Sequence, residues 1–524
     1  MKLKVFSRFP FQTKRFYRFT WIYLMAAICF SPVLAADEVQ KFANPKQLIK
    51  QAEKFTRKGN LSEAENLLRR AVKENPKDSN LKLSLSYVLL KAKNTLEAYE
   101  LAYEVAKAEP KNSRAFALVG LALLNFGKFR DAETLLRASY VMNKTEPLAW
   151  FGAGLLDFYE NRLSDSILKL EQAESLEQDE SDFVFSLAQV LARAEKYKEA
   201  SDAYERFLLV SPSSDVERRN RIKGLISFLR YLGHKQKLYT LDGSSKQTSV
   251  PFHLVNLRPV IELEVNNKKE KLRFVLDTGS GISVISTEAA QKLKIKPVAR
   301  GGMARAVGGN GKFEIVYGFL KSVGIGDVKI NNVPVYIRKF HDEGSQLDGY
   351  IGLSLISKFL TTVDYGNQTF SLVRREGMTF ENTAVETAAL PLRLTSSGFL
   401  SGEVQIEGIE TPLNFILDTG ASVSVISEFL ANSNEISRFL APEKMRVVGA
   451  AGITENVNSF TLPRVTFGKH SRESVRAIAL NLDIINEASG FQQAGILGGN
   501  FLKDYRLTFD FQNSKVTFVP IKGK

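Results

Sequence analysis

Through the first part of the chain apolar positions recur three and four residues apart, as in Leu61-Ser62-Glu63-Ala64-Glu65-Asn66-Leu67-Leu68 and Phe129-Arg130-Asp131-Ala132-Glu133-Thr134-Leu135-Leu136. That is the spacing of one buried helical face. The pattern returns with a fixed period: Ala64, Ala98, Ala132, Ser166 and Ala200 are each 34 residues apart, and Pro76, Pro110 and Pro212 keep the same register. A small residue at a constant position lets paired helices approach closely, and a proline punctuates the end of a second helix. Five units start near Asn44, Ser79, Asn112, Glu146 and Glu180, and a helix from Arg218 to Leu232 is expected to cap them. Past residue 250 the period falls to two, as in Val260-Ile261-Glu262-Leu263-Glu264-Val265, so strands take over. The polar stretch Leu241 to Ser249 marks the change, and the expected organisation is a helical array over 44–235, a linker over 236–250 and an all-β region beyond it.

The β region is written twice. Phe274-Val275-Leu276-Asp277-Thr278-Gly279-Ser280 returns as Phe415-Ile416-Leu417-Asp418-Thr419-Gly420-Ala421, 141 residues later, and each copy continues into the same four residues, Ser283 to Ser286 and Ser424 to Ser427. Val307-Gly308-Gly309-Asn310-Gly311 matches Val448-Gly449-Ala450-Ala451-Gly452 at the same offset. Gly349-Tyr350-Ile351-Gly352 then matches Gly495-Ile496-Leu497-Gly498, and Val363-Asp364-Tyr365 matches Phe509-Asp510-Phe511. The constant order implies an internal duplication, with halves at 251–375 and 389–524 and a connection at 376–388.

An Asp-Thr-Gly that follows three apolar residues puts a carboxylate where a buried strand opens into a tight turn, and glycine admits close backbone approach. Two such turns in pseudo-symmetric halves would bring Asp277 and Asp418 face to face. Carboxyls about 3 Å apart cannot both ionise, so the pair would share a proton and provide one base and one acid. Such a pair can activate water against a carbonyl with neither metal nor cofactor. The four histidines, His234, His253, His341 and His470, show no ligand spacing and no triad partners, and each is expected to be a surface or locally bonded residue.

These motifs place two resemblances on the chain. The 34-residue units, with Gly120, Trp150, Gly154, Ala64, Ala132, Ala200 and the three prolines, resemble tetratricopeptide repeats, which implies a solenoid whose concave groove could hold a protein partner. The duplicated half resembles the aspartic peptidases, closer to a fused retropepsin dimer than to pepsin because both halves carry a flap-like stretch. The fold implied is multidomain: an all-α tetratricopeptide-repeat solenoid followed by an all-β bilobal aspartic peptidase fold. The resemblance makes Asp277 and Asp418 catalytic. It makes Thr278, Gly279, Ser280, Thr419, Gly420 and Ala421 their supporting loops, with the two threonines cross-bonded beneath the aspartates. Gly308, Gly309, Gly311, Gly449 and Gly452 become flap residues, and Gly352 and Gly498 the second glycine motifs passing behind each active loop. Ser280 and Ala421 differ in hydrogen-bonding capacity, so the two carboxyls are expected to be inequivalent. The implied activity is an aspartic endopeptidase acting on polypeptide as a monomer with an intramolecular pseudo-dimer. The alternative is a noncatalytic peptide-binding adaptor with a degenerate cleft.

Charge and cysteine refine this picture. Six of the +14 formal charges (Lys2, Lys4, Arg8, Lys14, Arg15 and Arg18) fall in residues 1–36, which leaves about +8 for the remainder. No basic block interleaved with aromatics occurs there, so nucleic acid is not expected as a partner. The basic opening followed by the apolar run Trp21 to Leu34 and then Ala35 and Ala36 reads as an export signal, expected to be cleaved after either alanine to leave a periplasmic or extracellular chain without a membrane span, the alternative being a retained anchor. Cys29, the one cysteine, lies within that segment, and Ile28 before it does not suit a lipoprotein acceptor. The mature chain then has no disulfide, thiolate metal site or cysteine nucleophile.

Overall fold

A computed structural model describes residues 44–235, 237–243, 245–309, 311–341, 346–374 and 389–521. The expected export signal, Cys29 and the connection at 376–388 lie outside the described residues. Pro45–Lys524 forms one compact unit.

Five helix pairs run from Pro45–Arg57 with Leu61–Glu74 to Ser181–Arg193 with Tyr197–Val210. The 34-residue period has a second expression at the helix starts, where Asp78, Asn112, Glu146 and Glu180 each accept a backbone N–H of the first turn. Ala64, Ala98, Ala132, Ser166 and Ala200 are all fully buried. Ser166, the exception to alanine, satisfies its hydroxyl by donating to the carbonyl of Gly154 at 2.7 Å. Gly120 and Gly154 admit Leu136 and Leu170, whose side chains lie where a Cβ would have to sit. The array curls until its second repeat reaches its fifth: Lys91 Nζ meets Glu180 at 2.5 Å and Asp182 at 2.8 Å, and the Tyr87 hydroxyl donates to Glu180. The concave side of the array is thus spanned by the Lys91 ion pairs.

The capping helix, Val216–Gly233, joins the array to the β region. Its Gly224 packs backbone to backbone on Arg300 and Gly301 of strand Ala299–Arg305, and Phe228 stacks on Tyr317 with ring centroids 4.2 Å apart. Farther along, Phe129 and Tyr159 enclose Phe491, and Arg193 lies over Phe158 while donating to the carbonyls of Thr395 and Ser396. Phe228 is 2% exposed, so Phe228→Ala is expected to cost about 3–4 kcal/mol of stability. Urea unfolding of the full chain measures it, and a loss below about 1 kcal/mol would mean the stack is not a real joint.

Among the described residues the β region holds three sheets. A nine-stranded sheet belongs to the first half and an eight-stranded sheet to the second. A six-stranded sheet draws Gln247–Pro251, Phe359–Asp364 and Thr369–Arg374 from one side, and Ala389–Pro391, Tyr505–Asp510 and Lys515–Pro520 from the other. Its middle is the antiparallel pair Phe359–Asp364 with Tyr505–Asp510, and Thr362 faces Thr508 with their hydroxyls 3.0 Å apart. Pairings fall symmetrically to either side, Leu360 with Asp510 and Asp364 with Arg506, so the pseudo-two-fold axis passes this point. One apolar core, including Phe274 and Phe415, spans both halves.

The stretch 236–250, expected as a linker, is in part sheet. Thr240–Asp242 pairs with Lys329 to Asn331, and Gln247–Pro251 forms the edge of the shared sheet against Val373 to Thr369. Both are edge strands held by main-chain pairing with little buried side-chain surface, so the alternation that marks a strand is weak there.

Candidate active site

Each aspartate ends a buried strand. Lys271–Leu276 leads into Asp277 and Leu413–Leu417 into Asp418, and each strand runs parallel to the strand carrying the second glycine motif of its own half. The Asp277 N–H donates to Ile351 O at 3.0 Å and the Asp418 N–H to Leu497 O at 3.0 Å, so each turn is pinned from behind in the same way. Gly352 and Gly498 allow this by proximity: a Cβ on Gly352 would lie 2.7 Å from the carbonyl of Ser280, and one on Gly498 would lie 2.8 Å from that of Val423. Their N–H groups donate to the hydroxyls of Ser283 and Ser424. Those two serines belong to the site's frame, and their signal was the repeated four-residue run.

Beneath the aspartates the halves grip one another. Thr278 Oγ1 donates to Leu417 O at 2.7 Å and accepts the Thr419 N–H at 3.0 Å, while Thr419 Oγ1 donates to Leu276 O at 2.6 Å and accepts the Thr278 N–H at 3.2 Å. Both threonines are buried, so this four-bond ring replaces water that cannot reach it. It fixes the two turns so that their carboxyls face across the axis. A Cβ on Gly279 would collide with the Asp418 carboxyl, and one on Gly420 would lie 2.6 Å from Asp277 Oδ1. The two carboxyls are within hydrogen-bonding reach of one another.

The carboxyls are inequivalent. Burial raises the pKa of Asp277 above its ordinary value, but the Ser280 hydroxyl at 2.5 Å, Asp418, the Gly279 N–H at 2.9 Å and the charge of Arg338 oppose it by favouring the carboxylate. Burial and the neighbouring Asp277 charge push Asp418 much further up, against the Gly420 N–H at 2.7 Å. Ala421 offers no hydroxyl where Ser280 does. The Ser280 hydroxyl thus favours the anion at Asp277, and burial beside that charge favours the proton at Asp418.

Two hairpins close on each other. Strands Ala299–Arg305 and Lys312–Ile325 carry Gly308, Gly309 and Gly311, and strands Leu440–Gly449 and Gly452–Phe467 turn at Ala450 and Ala451. Gly308, Gly309, Gly311 and Gly452 all take positive φ, which suits glycine at the tips. The tips meet: the Ala451 N–H donates to Val307 O at 3.0 Å, and a Cβ on Gly449 or Gly308 would strike the opposite tip's backbone. The first hairpin is braced by the capping helix, through Gly224, the Lys312–Glu217 pair and Arg221 donating to Met303 O.

Among the described residues no group of His, Cys, Asp and Glu is arranged to hold a metal, and no helix is long and apolar enough to cross a membrane. Of the two settings expected for the histidines, surface or locally bonded, His470 is not at the surface: it is buried against Tyr505 and Phe518, and burial lowers its pKa.

Residues 261–355 and 402–501 match the family model described as aspartyl protease, and residues 55–120 match that of the tetratricopeptide repeat. Similar solved structures include a thermophilic tetratricopeptide-repeat protein of Thermus thermophilus, at 21% identity over 35% of this chain and 99% of that one, with a TM-score of 0.30. MamA of Desulfovibrio magneticus shares 19% identity over 32% of this chain and 94% of its own, with a TM-score of 0.23. PilF of Pseudomonas aeruginosa shares 15% over 36% and 85%, with a TM-score of 0.27. No curated protein matches the chain.

Proposed function

The chain joins an N-terminal tetratricopeptide-repeat array to a duplicated aspartic-protease-like module, and we propose that it is an endopeptidase that hydrolyses extended polypeptide with a water held between Asp277 and Asp418. The observation that carries this reading is the facing, inequivalent carboxyl pair above the threonine ring. In the addition step the Asp277 carboxylate takes a proton from water as its oxygen bonds to the peptide carbonyl carbon, while Asp418 gives its proton to the carbonyl oxygen. In the collapse step Asp277 passes its proton to the amide nitrogen, the C–N bond breaks, and Asp418 recovers a proton from the hydroxyl that becomes the new carboxyl. No covalent intermediate forms. The flap tips would part to admit substrate and close to exclude water from the reacting bond.

The basic and apolar opening segment supports export, to the periplasm or the outside, and the sheet built from both halves supports a monomeric site. The repeat array would dock substrate or a protein partner. Because Lys91 spans the groove, its second helices offer the more open surface, where Val141, Leu168 and Leu209 are exposed.

Incubation with a denatured protein mixture over roughly pH 3 to 8, with and without a statine-type inhibitor, tests the reading. Inhibitor-sensitive cleavage supports it, and binding without cleavage at any pH would contradict it. The pH profile follows from the two raised carboxyls. Activity needs Asp277 ionised and Asp418 protonated, so it should fall at low pH as Asp277 gains a proton and at high pH as Asp418 loses one. Both limbs are displaced upward from the ordinary aspartate value of 3.8. Ser280→Ala removes a bond that favours the Asp277 carboxylate, so its acid limb should move to higher pH, by about half a unit to one unit. The kcat profile measures the shift, and an unmoved acid limb would reject this role for the hydroxyl.

A further inference from the structure

The two halves align around the carboxyl pair, so their differences carry information about what the cleft holds. Ser286 pairs with Arg338 in the first half where Ser427 pairs with Leu480 in the second. Tyr350 stands beside Val275 where Ile496 stands beside Ile416. The counterpart positions of the second half are thus aliphatic, with Leu480, Leu482 and Ile496 in one apolar cluster. The wall next to Asp277 is built from Phe340 and Tyr350 with a cation added.

That cation feels the charge of Asp277 but makes no close ion pair among the described residues. No carboxylate of the described residues lies within ion-pair distance of Arg338. Its Nε is buried without a hydrogen-bond acceptor, and Nη1 donates to Ala450 O at 3.0 Å in the tip of the opposite hairpin. Its guanidinium carbon lies 5.7, 5.6 and 5.9 Å from the ring centres of Phe313, Phe340 and Tyr350. A half-buried guanidinium held by rings and one carbonyl is an incomplete site, and a carboxylate is the group whose geometry completes it.

We propose that the pocket formed by Arg338, Phe313, Phe340 and Tyr350 receives an acidic side chain of the polypeptide substrate on one side of the scissile bond, while Leu480, Leu482 and Ile496 receive an aliphatic side chain on the other. The rings pack against the acidic residue's carbon stem and exclude water, and the unsatisfied donor edge of Arg338 takes its carboxylate. Because Arg338 also holds the second flap tip, an acid at this position is bound under a closed flap. The inference rests on the reading that the cleft binds extended polypeptide.

The test uses the full chain carrying Asp418→Asn, so that binding is read without turnover. Fluorescence anisotropy compares extended peptides that differ only by Glu or Gln at each position flanking a central Phe-Leu bond. At one position the Glu peptide should bind about tenfold more tightly. Arg338→Leu, which copies the second half, should bring that ratio to about one, and Arg338→Lys should retain a preference for Glu. A Glu-to-Gln ratio near one in the parent, or a ratio unchanged by Arg338→Leu, overturns the proposal. Cleavage of the same peptides by the unsubstituted chain separates the two readings. Equal kcat/KM for both peptides keeps the hydrolase and removes the acidic subsite. A tenfold binding ratio without any cleavage keeps the subsite and removes the hydrolase.

Discussion

Asp418→Asn and Asp277→Asn are each expected to lower kcat for peptide hydrolysis by about a thousandfold or more, with the fold intact. The two substitutions fail for different reasons. At 418 asparagine keeps the shape of a protonated acid but has no proton of comparable acidity to give the carbonyl oxygen. At 277 it removes the only base in the pair. Stability should respond in the opposite direction to activity, because a neutral amide at either position relieves the confrontation of two buried carboxyls. The melting temperature should therefore hold or rise as activity disappears. Activity within about tenfold of the parent in either variant would show that the carboxyls do not act as a unit.

Gly279→Ala is expected to reduce kcat by at least about a hundredfold, although the substitution adds one methyl and leaves both aspartates in the sequence. Gly279 does not take positive φ, so alanine suits the backbone. The cost arises across the axis, where the new Cβ would occupy the place of the Asp418 carboxyl. Relief requires either the carboxyl to rotate or the loops to separate, and the threonine ring beneath resists separation. A displacement near 1 Å is enough for a loss of that order. Gly420→Ala should act in the same way on Asp277. Measured kcat with KM separates misplaced chemistry from lost binding, and a variant with parental kcat would show that the opposing carboxyl is not where the geometry puts it.

The large-scale plan was legible because it was written more than once. A helical period repeated at 34 residues identifies the array, and motifs repeated at 141 residues identify two β halves and their paired aspartates. Repetition says nothing about positions where the copies diverge or about contacts between unlike parts. Arg338 was overlooked for the first reason, since it closes an ordinary alternating strand and gains meaning only when register places Leu480 at its counterpart. The Lys91 bridge was overlooked for the second, because curvature of the stack brings residues 89 positions apart together. Gln247–Pro251 has one fully buried side chain, so main-chain pairing and not pattern makes it a strand.

A crystal structure of the full chain with a peptide in which a hydroxyl-bearing carbon replaces the scissile amide tests the arrangement most directly. Its hydroxyl should lie within hydrogen-bonding distance of both Asp277 and Asp418, under flap tips closed across it. A hydroxyl bonded to one aspartate alone, or a peptide seated outside the cleft, would contradict a water shared between the two halves.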